Sequence, residues 1–149
     1  MSRQQDAQRR RVYAWEDRFV APYGGGEIRF EAAQAMVDAI WADLGLRYPP
    51  KVERLPVQAR RRMADADRIR LRMPDALPDW ILLHELAHAL SSTQEGASDG
   101  HGPRFLGLYA RLLIRYLRIP EDILFRSLEE ASLRFDPAAR PAFLDHPPR

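Results

Sequence analysis

Apolar residues recur at helical spacing over most of this 149-residue chain. From residue 30 to residue 44 they fall on one face of a helix, and Gly45 follows as its C-terminal cap. The first helical stretch places Val12, Trp15 and Phe19 on one face in the same way. The periodicity therefore predicts helices over about residues 6–20, 30–44, 78–91, 103–118 and 121–135.

Two short segments between the second and third predicted helices have the alternating pattern of β-strands. They span residues 51–57 and residues 68–73, and the second alternates apolar residues with arginines. The apolar positions are Ile69, Leu71 and Met73, and the arginines are Arg68, Arg70 and Arg72. We expect the apolar face to be buried and the arginines to line the other face. Pro74 and Pro78 then bracket a loop that leads into the third helix.

Many helices and few strands predict the α+β class, with a small mixed or antiparallel sheet packed on helices. The length is that of one domain, so we expect residues 1–149 to form a single unit. Its core is expected at about residues 30–118. The helix at 121–135 and a loosely packed, Pro-rich tail at 136–149 would follow it.

The third predicted helix is apolar around its whole circumference except at three positions. Between Trp80 and Leu90 the only polar residues are His84, Glu85 and His88. A helix that is apolar on every face is a buried one, and buried polar side chains need partners there. A metal ion would satisfy both imidazoles together. Two core histidines bonded to backbone carbonyls are the structural alternative.

The three polar residues form an HExxH motif, which is typical of zinc hydrolases. Residues four apart lie one above the other on a helix, so His84 and His88 can bind one ion. Glu85 points about 100° round the helix, beside the ion, where it can act as a general base on a metal-activated water. The chain has no cysteine, so nitrogen and oxygen must supply all the ligands.

Catalytic zinc sites usually have three protein ligands, so a third ligand must come from elsewhere in the chain. A metzincin would have glycine at position 91 and histidine at position 94, where this chain has Ser91 and Gln94. No glutamate occurs between Gly96 and Pro120, which excludes the class with a downstream glutamate ligand. The nearest remaining donors are His101, Asp99 and Glu95.

His101 is the best of these candidates, because Gly100 and Gly102 flank it and allow a tight backbone turn. Its alternative is an ordinary surface histidine in a loop. We expect Asp99 to orient a ligand imidazole as a hydrogen-bond acceptor rather than to bind the metal. His146 lies in the tail, away from the predicted site.

The charge pattern adds an alternative partner. The net charge is only +2, yet arginines cluster at Arg9–Arg11 and Arg60–Arg62. Such clusters suit nucleic acid or an acidic partner, although a solvated surface is the simpler interpretation at this net charge. No apolar run approaches the ~20 residues that span a bilayer, and the N-terminus is too polar for a signal peptide. We therefore expect no membrane association and a cytoplasmic location.

The sequence HELAH, followed by a loop and HGPRF, resembles SprT-like and related minimal zinc metallopeptidases and small bacterial metallohydrolase families. The resemblance covers about residues 30–118, with the specific match at 80–105. It implies a zincin-like fold, one zinc ion on His84, His88 and His101, and Glu85 as general base. It also implies an edge strand such as residues 68–73. Phe105 would then pack behind the third ligand. Unlike many SprT-like proteins, the chain has no Cys-rich zinc ribbon or DNA-binding extension.

These observations predict a zinc-dependent peptidase whose cleft lies beneath an edge strand that can pair with an extended peptide. Arg104 and Tyr109 are candidate oxyanion donors, with a surface arginine and a core tyrosine as the simpler interpretations. One alternative is a metal that only stabilises an interaction or DNA-associated module, for which Asp99 or Glu95 would be a fourth ligand. Another is hydrolysis of a non-peptide amide.

Overall fold

A computed structural model describes residues 6–56 and 64–144 of the chain. Within these ranges the α-helices are α1 Arg9–Trp15, α2 Phe30–Asp43, α3 Asp79–Leu90, α4 Pro103–Tyr116 and α5 Glu121–Glu130. The strands are β1 Glu27–Arg29, β2 Lys51–Arg54, β3 Asp65–Ala66, β4 Arg70–Met73 and β5 Ala76–Pro78. A π-helical turn, Glu16–Val20, and a 3-10 turn, Ala21–Tyr23, continue α1, and a second 3-10 turn lies at Ala142–Leu144. The predicted α+β class is confirmed.

The strands form two small sheets. In the three-stranded sheet β4 lies in the middle, parallel to β2 and antiparallel to β3. In the two-stranded sheet β1 pairs with β5 in antiparallel register. The larger sheet is therefore mixed, and both sheets contact α3.

The prediction that residues 68–73 form an edge strand is wrong. β4 begins only at Arg70, and it has a hydrogen-bonded neighbour on each side. The edge strand that packs against α3 is β3, which has only two residues, Asp65 and Ala66. Two residues are too few to give an alternating pattern, so the sequence offers no signal for this strand.

The predicted alternation along this segment holds for only part of it. Leu71 and Met73 are fully buried, as expected. The pattern reverses at the preceding bend, because Ile69 is 46% exposed whereas Arg68 is buried. The guanidinium carbon of Arg68 lies 4.9 Å from the ring centre of Trp41 and 4.4 Å from that of Phe143. Cation–π contact with both rings explains how an arginine is buried there.

The segment before α3 is a strand rather than the expected loop. β5 pairs with β1 in a register that sets Leu77 opposite Ile28, and α3 starts at the next residue after β5. The Asp79 N–H donates to the Gly26 carbonyl at 2.9 Å. This small ladder fixes where α3 begins and therefore the direction in which its histidines point.

Helices α2, α3 and α4 lie within two residues of their predicted bounds, whereas α5 ends five residues early. The chain reverses there because Ser132 adopts a left-handed conformation with φ of 57°. The Leu133 N–H donates to the Leu128 carbonyl, and the Ser132 N–H donates to the Glu129 carbonyl. These two bonds form a Schellman motif, with a serine in the position that usually holds glycine.

The described part of the C-terminal tail is packed, contrary to the prediction for residues 136–149. The Asp136 N–H donates to the Pro103 carbonyl at 3.0 Å. The Asp136 carbonyl passes so close to Gly107 that a Cβ there would lie 1.9 Å from its oxygen. The ring of Phe143 stacks on Trp41. Residues 57–63, with the second arginine cluster, and His146 lie outside the described residues.

The buried core has α3 near its centre. Leu82, Leu83 and Leu86 of α3 are fully buried and belong to one hydrophobic cluster that includes residues of α1 and α5. Burial of each leucine side chain is worth roughly 1.5–3 kcal/mol. Among the described residues, no helix has both the length and the apolar character needed to cross a membrane.

Candidate metal centre

Helix α3 presents two imidazoles side by side, as predicted. The Nε2 atoms of His84 and His88 are 3.2 Å apart, and the ring centres are 4.9 Å apart. His84 is 4% exposed, and His88 is half-buried. The helix is enclosed because α4 packs along it and both sheets contact it. The i and i+4 positions thus converge within the protein interior rather than on a solvated surface.

His101 joins these two residues from the loop between α3 and α4. Its ring centre lies 5.3 Å from that of His84 and 4.7 Å from that of His88. Each of the three residues offers one ligand atom, and these atoms lie within 4.8 Å of one another. Gly100, with φ of 63°, makes the turn that returns the loop to α3.

The chemistry of the three side chains fits a metal ion. Two ligand nitrogens in a tetrahedral zinc site lie about 3.3 Å apart, close to the separation of the His84 and His88 atoms. The Nε2 atom of His101 is buried and has no hydrogen-bond partner among the described residues. Burial lowers the pKa of His84 to about 3 and holds that of His88 well below 6.5. Both rings are therefore neutral at pH 7, with a lone pair available.

Two other candidate ligands lie outside this group. The Asp99 side chain accepts the backbone N–H groups of Arg104 at 2.7 Å and Phe105 at 3.3 Å. Asp99 therefore caps the first turn of α4, and the prediction that it orients an imidazole is wrong. Glu95 is exposed on the loop. The group that the described residues bring together has three members, each of them a histidine.

A buried glutamate orients His84 instead. The Oε2 atom of Glu16 lies 2.5 Å from His84 Nδ1 and accepts the Tyr109 hydroxyl at 2.7 Å. A carboxylate on Nδ1 favours the tautomer with the proton on that atom, which leaves the Nε2 lone pair for a metal. Burial raises the pKa of Glu16 to about 8, although the hydrogen bond from Tyr109 acts in the opposite direction.

His101 has a carboxylate partner of its own. The Oδ1 atom of Asp6 lies 3.0 Å from His101 Nδ1 and also accepts the His101 backbone N–H at 3.0 Å. Two of the three imidazoles thus have an acidic residue on the nitrogen that faces away from the shared centre. Such outer partners fix ring orientation and raise the basicity of the ligand.

Sequence reasoning missed Asp6 and Glu16, although a signal for the second exists. Gln8, Val12, Glu16 and Val20 are spaced four apart and are all buried. Gln8 and Glu16 are thus polar residues in an apolar helix stripe, a pattern that marks either a satisfied polar network or a functional site. Sequence periodicity shows that these residues face inward, but it does not show which residues they meet.

Glu85 is almost fully buried beside the histidines. It retains 7% exposure, and its carboxyl group makes no hydrogen bond with another described residue. Burial, together with the nearby charges of Asp65 and Glu16, raises its pKa to about 8. A carboxyl group with a pKa near neutrality can both accept and release a proton at physiological pH.

Two aromatic rings enclose the histidines. Phe105 is buried, with its ring centre 4.3 Å from that of His88 and 5.0 Å from that of His101. Its position agrees with the packing role that the resemblance implied. Tyr13 of α1 stacks on His84 at 5.9 Å and meets His101 edge-on at 5.2 Å. Because Tyr13 is 41% exposed, it lies between the histidines and solvent.

One of the two suggested oxyanion donors, Tyr109, is engaged elsewhere. The Tyr109 hydroxyl donates to Glu16, with the Trp80 carbonyl 3.2 Å away as a second acceptor. Tyr109 is fully buried, and burial raises its pKa well above 10. Tyr109 is therefore a core tyrosine, and its hydroxyl points to Glu16, the partner of His84. Arg104 is half-buried and donates its backbone N–H to Asp99.

Comparison with known proteins adds no relative: no protein-family model, curated protein or solved structure matches this chain.

Proposed function

We propose that this protein is a zinc-dependent hydrolase that cleaves peptide bonds, with His84, His88 and His101 as the metal ligands. The observation that carries the proposal is the convergence of three imidazoles, of which His84 and His101 are buried and His88 is half-buried. The inner nitrogen of His101 has no hydrogen-bond partner among the described residues. Three neutral nitrogen donors suit zinc, whereas magnesium and calcium prefer oxygen. When bound, a zinc ion lowers the pKa of a water molecule from about 15.7 towards ~7 and polarises a carbonyl oxygen.

Glu85 is the general base in this proposal. It follows His84 on the same helix, and its carboxyl group is not used in a hydrogen bond with another described residue. It can take a proton from the attacking water and deliver it to the leaving nitrogen. The raised pKa of about 8 suits the second of these steps, because the protonated form is populated at neutral pH.

Glu16 and Asp6 hold the ligands in place. Each accepts a hydrogen bond from the Nδ1–H group of one imidazole and so directs the Nε2 lone pair towards the centre of the group. The Tyr109 hydroxyl, which donates to Glu16, keeps that carboxylate in its position. The proposed role of these residues is orientation and not contact with substrate.

The number of donors favours a catalytic site over a structural one. Structural zinc sites are closed by four protein ligands, whereas catalytic sites keep one position for water or substrate. The described residues supply three histidines, and Asp99, the neighbouring acid, is occupied in capping α4. The metal-stabilised interaction module therefore has less support than the hydrolase.

The peptide substrate is inferred from β3. This strand is one of the two edge strands of its sheet among the described residues, and it contacts α3. Asp65 of β3 is close enough to Glu85 to raise the pKa of that residue. An extended peptide that pairs with β3 would thus pass near the general base, as in a zincin-like cleft. Hydrolysis of a non-peptide amide is the alternative outcome.

Metal analysis and two substitutions test the proposal. Purified protein should bind about one zinc per chain, and His84→Ala should abolish binding. Glu85→Gln should keep the zinc and lose hydrolysis of a fluorogenic peptide library. Glu95→Gln is the matched control, because Glu95 is an exposed acid on the loop that carries His101. Absence of zinc binding by the wild type would refute the metal site. Hydrolysis retained by Glu85→Gln would remove Glu85 from the mechanism.

A further inference from the structure

Gln8 is a buried amide that joins two segments distant from it in the chain. Its Nε2 group donates to the His101 carbonyl at 3.0 Å and to the Arg134 carbonyl at 3.1 Å. Its Oε1 atom accepts the Arg134 backbone N–H at 2.6 Å. Both amide protons and the carbonyl oxygen are therefore used, and the side chain is 4% exposed.

Together, Gln8 and Asp6 contact His101 at three of its polar atoms. Asp6 accepts the backbone N–H and lies on Nδ1, while Gln8 binds the carbonyl oxygen. Both backbone polar groups of this residue, and one ring nitrogen, are thus engaged by the segment at residues 6–8. His101 lies between two glycines, which restrict the backbone little. The conformation of His101 thus depends strongly on contacts from the N-terminal segment.

We infer that Gln8 is a positioning residue for the third ligand, and that it couples metal binding to docking of the N-terminal segment against the chain that follows α5. The inference rests on the proposed zinc site. Coupling between two binding events is reciprocal. If the docked segment increases the affinity for zinc, zinc must stabilise the docked segment by the same factor.

A purely structural role for Gln8 would have a different consequence. Loss of its hydrogen bonds would then lower stability, without a specific effect on zinc affinity. Arg11 provides a matched control, because its guanidinium donates to the Ser132 carbonyl at 2.6 Å. It links the same helix to the same C-terminal segment without touching His101.

The first measurement is zinc affinity at pH 7, by competition with a chromophoric chelator. We expect Gln8→Met to weaken zinc binding by about 10–100-fold, the usual effect of losing an outer partner of a ligand. Arg11→Ala should bind zinc as the wild type does. Equal affinities for Gln8→Met and wild type would overturn the inference while leaving the zinc site intact. An equal loss in both variants would also overturn it, because it would indicate general loosening of α1.

The second measurement uses the wild-type chain and does not depend on the folding of a variant. Arg9, Arg10 and Arg11 are exposed and make the first turns of α1 a natural trypsin target. Zinc should slow cleavage at these arginines, as followed by mass spectrometry, whereas magnesium should not. Gln8→Met should lose this protection, and Arg11→Ala should keep it at the remaining arginines. If zinc binds to the wild type without slowing this cleavage, the coupling is absent. If zinc does not bind at all, the proposed metal site fails as well.

Discussion

Two carboxylates in this molecule each accept a tyrosine hydroxyl and lie next to a nitrogen atom of another side chain, yet their pKa values are shifted in opposite directions. Glu16 accepts the Tyr109 hydroxyl at 2.7 Å and lies 2.5 Å from a histidine nitrogen. Asp43 accepts the Tyr116 hydroxyl at 2.5 Å and an arginine N–H at 2.8 Å. The Glu16 side chain is 3% exposed, and that of Asp43 is 45% exposed.

Burial decides the difference between them. The pKa of Glu16 is raised to about 8, because desolvation outweighs its hydrogen bonds. The pKa of Asp43 is lowered, because its hydrogen bonds from Tyr116 and Arg115 act with little desolvation. A tyrosine hydroxyl, helped by Arg115, thus stabilises the charge of Asp43 at the surface, whereas the Tyr109 hydroxyl does not outweigh desolvation at Glu16 in the interior. A cation at the three histidines would supply the compensation that Glu16 lacks.

The largest expected difference is in zinc affinity, when the charge of either carboxylate is removed. Glu16→Gln should weaken zinc binding by roughly 10–100-fold, because the His84 ring loses the acceptor that fixes its tautomer. Asp43→Asn should leave zinc affinity unchanged. Isothermal titration calorimetry on both variants measures the contrast. Equal affinities in the two variants would mean that burial beside His84 gives Glu16 no special role.

The tyrosines that donate to the two carboxylates should differ in their contribution to stability, which is a smaller and independent effect. Tyr109→Phe should lower the free energy of unfolding by about 1–3 kcal/mol, because buried Glu16 loses a donor. Tyr116→Phe should change it little, since Asp43 can bond to water instead. Urea denaturation of the zinc-free proteins provides the comparison. A larger loss in Tyr116→Phe would contradict the ranking of the two regions.

The pH dependence of stability should differ in sign between the two carboxylates. In zinc-free protein the pKa of Glu16 rises from its ordinary 4.5 to about 8. Its stabilising contribution is complete below pH 4.5 and is lost as the pH rises through 8. The pKa of Asp43 lies below its ordinary 3.8, so its contribution is present above pH 3.8 and disappears on acidification. NMR titration of the carboxyl carbons should resolve the pKa values of Glu16 and Asp43. Equal displacements of the two pKa values from their ordinary values would refute the effect of burial.

The features that could be predicted from the sequence are those that depend on residues close together in the chain. Helix α3, with His84, Glu85 and His88, follows from a short apolar run interrupted at i, i+1 and i+4. The position of His101 in space follows from flanking glycines and the exclusion of other donors. Each of these inferences uses residues within about twenty positions of one another.

Partners that are distant in the chain could not be predicted in this way. Glu16 and His84 are 68 positions apart, and Asp6 and His101 are 95 apart. Proximity in the sequence suggested Asp99 as the partner of an imidazole. Its carboxylate instead accepts backbone N–H groups in the first turn of α4. Strand pairing has the same non-local character, which is why the two-residue β3 took the edge position expected for residues 68–73.

The contact between Gln8 and Arg134 also sets an order of events during synthesis. The two residues are 126 positions apart, so Gln8 can make this contact only after Arg134 has been synthesised. At ~5–20 residues per second, that interval is roughly 6–25 s. During it, His84 and His88 can already be translated while His101 has no docked support. The nascent chain would therefore complete these contacts around the proposed metal site only after Arg134 has been translated.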